Sequence, residues 1–165
     1  MKRRTYLATL GTAAVASLAG CTGERVLSVQ PGRPIRVPRG RGTVITIPAE
    51  GDAISYTARD DQRFGVYFFI TRADYLAYMA FIDGDDPDRT PRGDTDIGSQ
   101  AVPVGDGSTY EASTPDGGRV PIEAEGEAYF VIDHSRYRFE SVPPETADPL
   151  SVTLELTVTR SPLPF

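Results

Sequence analysis

The densest group of chemistry-bearing side chains is the run DGDDPDRTPRGDTD, residues 83–96, which holds Asp83, Asp85, Asp86, Asp88, Asp94 and Asp96. Carboxylates so close together are the hard oxygen ligands that Ca2+ takes, and Asp83, Asp85, Asp86 and Asp88 are the candidate set. The spacing departs from a calcium loop of the EF-hand kind. Counted from Asp83, the fifth and sixth positions are Pro87 and Asp88, where that loop requires a ligand and a glycine. Arg89 and Arg92 also bring positive charge to the place a cation would occupy. The competing reading is a solvated acidic loop, and its length without apolar anchors predicts the most mobile stretch of the domain.

Asp133-His134-Ser135 supplies the three residue types of a catalytic triad, but consecutively. On an extended strand His134 points away from its two neighbours, so the imidazole cannot bridge them, and a hydrogen-bonded turn residue is the expectation. Ser99 and Ser108 lack the flanking glycines of a nucleophile elbow. A zinc site needs three or four His or Cys ligands, and the whole chain has one of each, His134 and Cys21. No glycine-rich phosphate loop is present. Glu123, Glu125 and Glu127 offer carboxylate pairs for glycoside hydrolysis, although alternate acids on an extended segment are ordinarily its wet side. Tyr67, Tyr75, Tyr78, Tyr129 and Tyr137 offer a surface on which a sugar could stack, without a tryptophan to anchor it. The expectation is therefore a protein that is not an enzyme, with no catalytic residue and no cofactor beyond a covalent lipid or, in the alternative, Ca2+.

The first twenty-one residues, MKRRTYLATLGTAAVASLAGC, form a separate unit. Lys2, Arg3 and Arg4 are followed by fifteen uncharged residues, Tyr6 to Gly20. At ~1.5 Å per helical residue this run is too short to cross a ~30 Å hydrocarbon core comfortably, and it ends in small residues as an export signal does. Arg3-Arg4 before Thr5, Tyr6 and Leu7 resembles the twin-arginine signal that exports folded proteins. Leu18-Ala19-Gly20-Cys21 resembles a lipobox, which implies that Cys21 is lipidated and becomes the first residue of the mature chain. The thiolate is the side chain most readily alkylated by a lipid donor. Residues 1–20 are thus read as a signal peptide and residues 21–42 as a lipidated N-terminus with a Pro-, Gly- and Arg-rich tether.

Without residues 1–20 the chain keeps fourteen arginines, no lysine and all 23 acidic residues, a net charge of −9. That balance argues against general nucleic-acid binding, which wants a basic face. It resembles the exported proteins of salt-loving archaea, whose carboxylates hold water where charge is screened within ~3 Å at 1 M salt. Arg33, Arg36, Arg39 and Arg41 stand out in the tether, either as a juxtamembrane basic patch or as an arginine-punctuated edge strand.

The elements that must position these groups are mostly strands. Val44 to Ile47 is β-branched and stops at Pro48; Ile54, Tyr56 and Ala58 alternate with polar residues. Phe64 to Ile70 and Tyr129 to Ile132 are apolar on both faces and so central, while Val152, Leu154, Leu156 and Val158 alternate cleanly, which fixes their register. Val26 to Val29 reads as a short strand. One helix interrupts, with Thr71 as N-cap, Asp74 completing a capping box, Tyr75, Met79 and Ile82 on one face beside Leu76, and Gly84 as the stop. Short strands with frequent turns predict an all-β antiparallel sandwich of seven or eight strands over residues 43–160, with 161–165 as a C-terminal tail.

The order of the Val66–Phe69 strand, the Ala73–Tyr78 helix, an acidic loop, the Ala128–Asp133 strand and the Thr153–Thr159 strand is similar to a small domain of haloarchaeal exported lipoproteins. More distantly it resembles the GOLD-type β-sandwich of cargo adaptors, with Asp133-His134 standing where those domains carry an Asp-Asn pair. The resemblance implies a noncatalytic binding or structural module; with the leader, the expectation is a lipid-anchored one outside the cell membrane, for which an envelope protein is the candidate partner. The alternative is a Ca2+- or carbohydrate-binding domain that uses loop 83–96.

Overall fold

The computed structural model describes residues 25–30, 33–137 and 147–161. Arg3, Arg4 and Cys21 lie outside them. Two antiparallel sheets face each other, as the alternation predicts, and a single helix lies outside the smaller one. The strands are β1 (Arg25–Gln30), β2 (Pro34–Val37), β3 (Gly42–Ile47), β4 (Ala53–Asp60), β5 (Gly65–Phe69), β6 (Ser99–Gln100), β7 (Val102–Val104), β8 (Thr109–Ser113), β9 (Val120–Pro121), β10 (Ala128–Asp133) and β11 (Leu150–Arg160); the helix α1 is Arg72–Asp83. Among the described residues there are eleven strands against the expected seven or eight or so, because β6, β7 and β9 are two or three residues long and carry no readable alternation.

The larger sheet runs β1-β11-β4-β8-β7, with β2 continuing the β1 margin along β11 and β9 extending the β8 margin along β4. The smaller runs β3-β10-β5-β6. The sandwich therefore begins at Arg25, inside the segment expected to be tether. Two short strands, β1 and β2, form in this segment, and the eleven-residue β11 is long enough to pair with both. β11 keeps its alternating register, with Leu150, Val152, Leu154, Leu156 and Val158 buried against Phe68, Phe130 and Ile132 of the other sheet.

β5 and β10 are apolar on both faces because both faces are covered. Val66, Phe68, Phe130 and Ile132 enter the core between the sheets, while Tyr67, Phe69, Tyr129 and Val131 pack under α1. The helix starts as its sequence predicts: the Thr71 hydroxyl oxygen accepts the Asp74 N–H at 3.1 Å. It ends at Gly84 in the left-handed conformation, φ 87°. The buried stripe is displaced from the expected one. Asp74, Ala77 and Tyr78 lie deepest, Tyr75, Met79, Phe81 and Ile82 flank them, and Leu76 faces solvent. Among the described residues no helix is long and apolar enough to cross a membrane.

Candidate functional site

Every residue of β10 is buried, so its terminal Asp133 is carried into the interface between the smaller sheet and α1. Tyr78, the deepest residue of α1, donates its hydroxyl to Asp133 Oδ1 at 2.5 Å. The other carboxylate oxygen accepts the Ser135 N–H at 3.2 Å, and Ser135 Oγ accepts the Tyr137 N–H at 3.0 Å. Burial raises the Asp133 carboxyl to about 6 against the pull of the Tyr78 and Ser135 bonds, and drives the Tyr78 phenol far upward. His134 sits on the other side of the strand end. Its backbone bonds Arg41 and Gly40, its Nδ1 is buried without a partner, and desolvation, then Arg39, lowers its pKa. Asp133, His134 and Ser135 thus form no relay. Asp133 fastens the helix to the sheet and Ser135 shapes the turn that follows.

Gly42 makes the Tyr78–Asp133 bond possible. It pairs with Asp133 across β3 and β10, and a side-chain carbon there would collide with the Tyr78 hydroxyl and with Val131. The tyrosines weighed as a sugar-stacking surface pack on one another. Tyr67, Tyr78 and Tyr137 meet edge to face or tilted at 4.9–6.2 Å, and Tyr75 lies flat on Tyr129 at 4.6 Å.

The acidic run is divided among separate tasks. Asp83 pairs with Arg41; Asp85, Asp86 and Asp88 stand exposed; and Asp94 Oδ1 accepts the N–H groups of Asp96 and Ile97 at 2.8 and 3.0 Å. Among the described residues no three His, Cys, Asp or Glu side chains converge as a metal site. Nor is the loop a free excursion. Asp94 N–H donates to the Phe68 carbonyl at 2.7 Å, Ile97 is fully buried, and the Tyr137 hydroxyl donates to the Pro91 carbonyl at 3.3 Å. The main fastener is Asp74, which binds the Arg92 N–H at 3.1 Å and the Arg89 guanidinium at 3.0 Å. Its place in the capping box was readable, its reach to residues eighteen positions on was not.

Among the described residues, clefts open on the surface at two places of interest. One, of about 380 Å³, lies between Val66, Tyr67 and the Gly93–Gln100 segment. The other, of about 530 Å³, is lined by Thr71, Arg72, Tyr129 and the row Glu123, Glu125 and Glu127. The three glutamates are exposed, while Ile122 before them and Ala124 among them pack on the core. Comparison of the chain with protein-family models, with curated proteins and with solved structures finds no match.

Proposed function

We propose that this chain is exported already folded, is held by a lipid on Cys21 at the outer face of the cell membrane, and acts there as a noncatalytic interaction or structural module. The observation that carries the reading is the order within residues 1–21: Arg3-Arg4, then the uncharged run Tyr6 to Gly20 that ends in Leu18-Ala19-Gly20, then the sole cysteine. A two-chain lipid at that sulfur would be a firm anchor, at ~0.8 kcal/mol per buried CH2. The architecture agrees with a module that presents surfaces. Among the described residues its two most deeply buried carboxylates, Asp133 and Asp74, bind neighbouring elements, and most of its other acidic side chains lie on the exterior. A lysine-free surface rich in carboxylates suits a saline exterior.

Replacing Cys21 with serine tests the reading in the producing cell. The variant is expected in the medium or stalled with its leader uncleaved, while the parent sediments with membranes. A variant that is exported, processed and still membrane-bound overturns it.

A further inference from the structure

If Cys21 carries the lipid, the sandwich does not hang on a long tether. β1 starts four residues later, at Arg25, and four residues span at most ~14 Å. The anchor therefore holds the β1–β2 margin of the larger sheet against the bilayer. From Arg25 to Arg41 the chain has five arginines and no acidic residue, although the mature chain as a whole is strongly acidic. Arg25, Arg33 and Arg36 are exposed and have no ion-pair partner among the described residues.

The same margin exposes apolar groups. The register of β1 on β11 shifts between Val26 and Ser28, and Leu27, the extra residue, packs against the core. Val26 and Val29 pair with Thr159 and Thr157, so both stand on the outer face, 57% and 54% exposed. Arg36 pairs with Ser151 on that face, nine β11 residues from the Arg25–Arg160 pair, or roughly 30 Å at ~3.4 Å per residue. Two outward valines, Arg36 on their face, and Arg25 and Arg33, exposed at the start of β1 and just before β2, lie at the mouth of a lipid anchor and fit a surface of anionic headgroups. The valines reach the interface, and the forked guanidiniums bind phosphate oxygens at contact range, where salt screens least.

We infer that the β1–β2 margin, through Val26, Val29, Arg25, Arg33 and Arg36, lies on the membrane and binds anionic lipid headgroups; this rests on the anchored reading above. The lipidated full chain is tested in vesicles, with a fluorophore on a new cysteine at Val29→Cys and, as controls, at Val102→Cys on β7 and Leu76→Cys on α1. Those positions are 57% and 50% exposed, respectively, so labels there are as accessible as at Val29. Quenching by headgroup-labelled lipid is expected several-fold stronger at Val29 than at either control in phosphatidylglycerol vesicles. It is expected to fall in phosphatidylcholine alone, and in a chain with Arg25, Arg33 and Arg36 all changed to Gln.

Equal quenching at the three positions, or at Val29 in both lipids, overturns the assignment. So does a Val29 label shielded from solvent but not quenched by lipid in a chain that runs as a dimer, since a second copy would then cover the margin. A chain that stays on the vesicles without Val29 quenching defeats the docking alone. A parent chain whose Cys21 thiol takes the label, or that leaves the membrane, defeats the anchor and the docking with it.

Discussion

Asp133 and His134 are neighbours whose burial acts on stability in opposite directions. Folded Asp133 keeps its proton to about pH 6, whereas an unfolded aspartate releases it near ~4. Between these values the folded state binds the extra proton. The contribution is complete below pH ~4 and is lost as pH rises through about 6, by about 3 kcal/mol in all. His134, lowered by desolvation and then Arg39, makes a contribution that is lost as pH falls through the unfolded histidine range near ~6.5. Asp133→Asn should therefore become more stable relative to the parent as pH rises from 4 to 6. His134→Gln should gain on the parent as pH falls below ~6.5. Urea midpoints across pH 4–8 measure both, and shifts of the same sign in the two variants would refute the opposition. Tyr78→Phe removes the donor from Asp133 Oδ1, so the carboxyl should titrate higher still and stability should fall by about 1–3 kcal/mol. An unchanged carbon-13 titration of Asp133 would deny that the bond exists in solution.

At the scale of elements, the helix depends on a gap left by β3. Gly42→Ala should cost about 1–3 kcal/mol by forcing Tyr78 from its seat. In the Tyr78→Phe background the same change should cost less, because the clashing hydroxyl is gone. Strict additivity in denaturant melts would show that the two residues do not meet. Asp74 holds a different piece. Asp74→Ala should release Arg89 and the Arg92 N–H and so raise protease cleavage within residues 84–92, with the β11 amides still protected. Loss of protection in β11 at the same time would mean that the loop and the sandwich are one cooperative unit.

These elements also show what was legible. β4, β5, β10, β11 and the helix caps were readable because alternation, two-faced apolar runs and a capping box are local signals. The face of α1 was read one position off. Tyr75, Met79 and Ile82 have the right spacing, but the stripe is set by the tertiary bond from Tyr78 to Asp133. Val26 to Val29 reads as a strand, but β1 and β2 fall in the expected tether because the pairing that joins them to the sandwich is supplied by β11, more than a hundred residues later. The acidic run drew attention by composition. What positions it is Asp74, a single carboxylate outside the run, and no local pattern announces a long-range clamp.

On the scale of the whole molecule, the layers divide the labour. The core between the sheets is aliphatic and phenylalanine-rich, the layer under α1 is mostly tyrosine, and the sequence beyond residue 41 is rich in carboxylates, whereas residues 25–41 hold five arginines and no acid. The leader and the arginine-bearing margin lie next to each other in sequence. In the function proposed above, a lipid on Cys21 joins this domain to the membrane. The most direct measurement is the mass of the N-terminal peptide from the protein extracted from membranes of its producing cells. A peptide that begins at Cys21 and carries the mass of a two-chain lipid on sulfur is the predicted result. A peptide that begins upstream of Cys21, or one whose Cys21 thiol is unmodified, would contradict it.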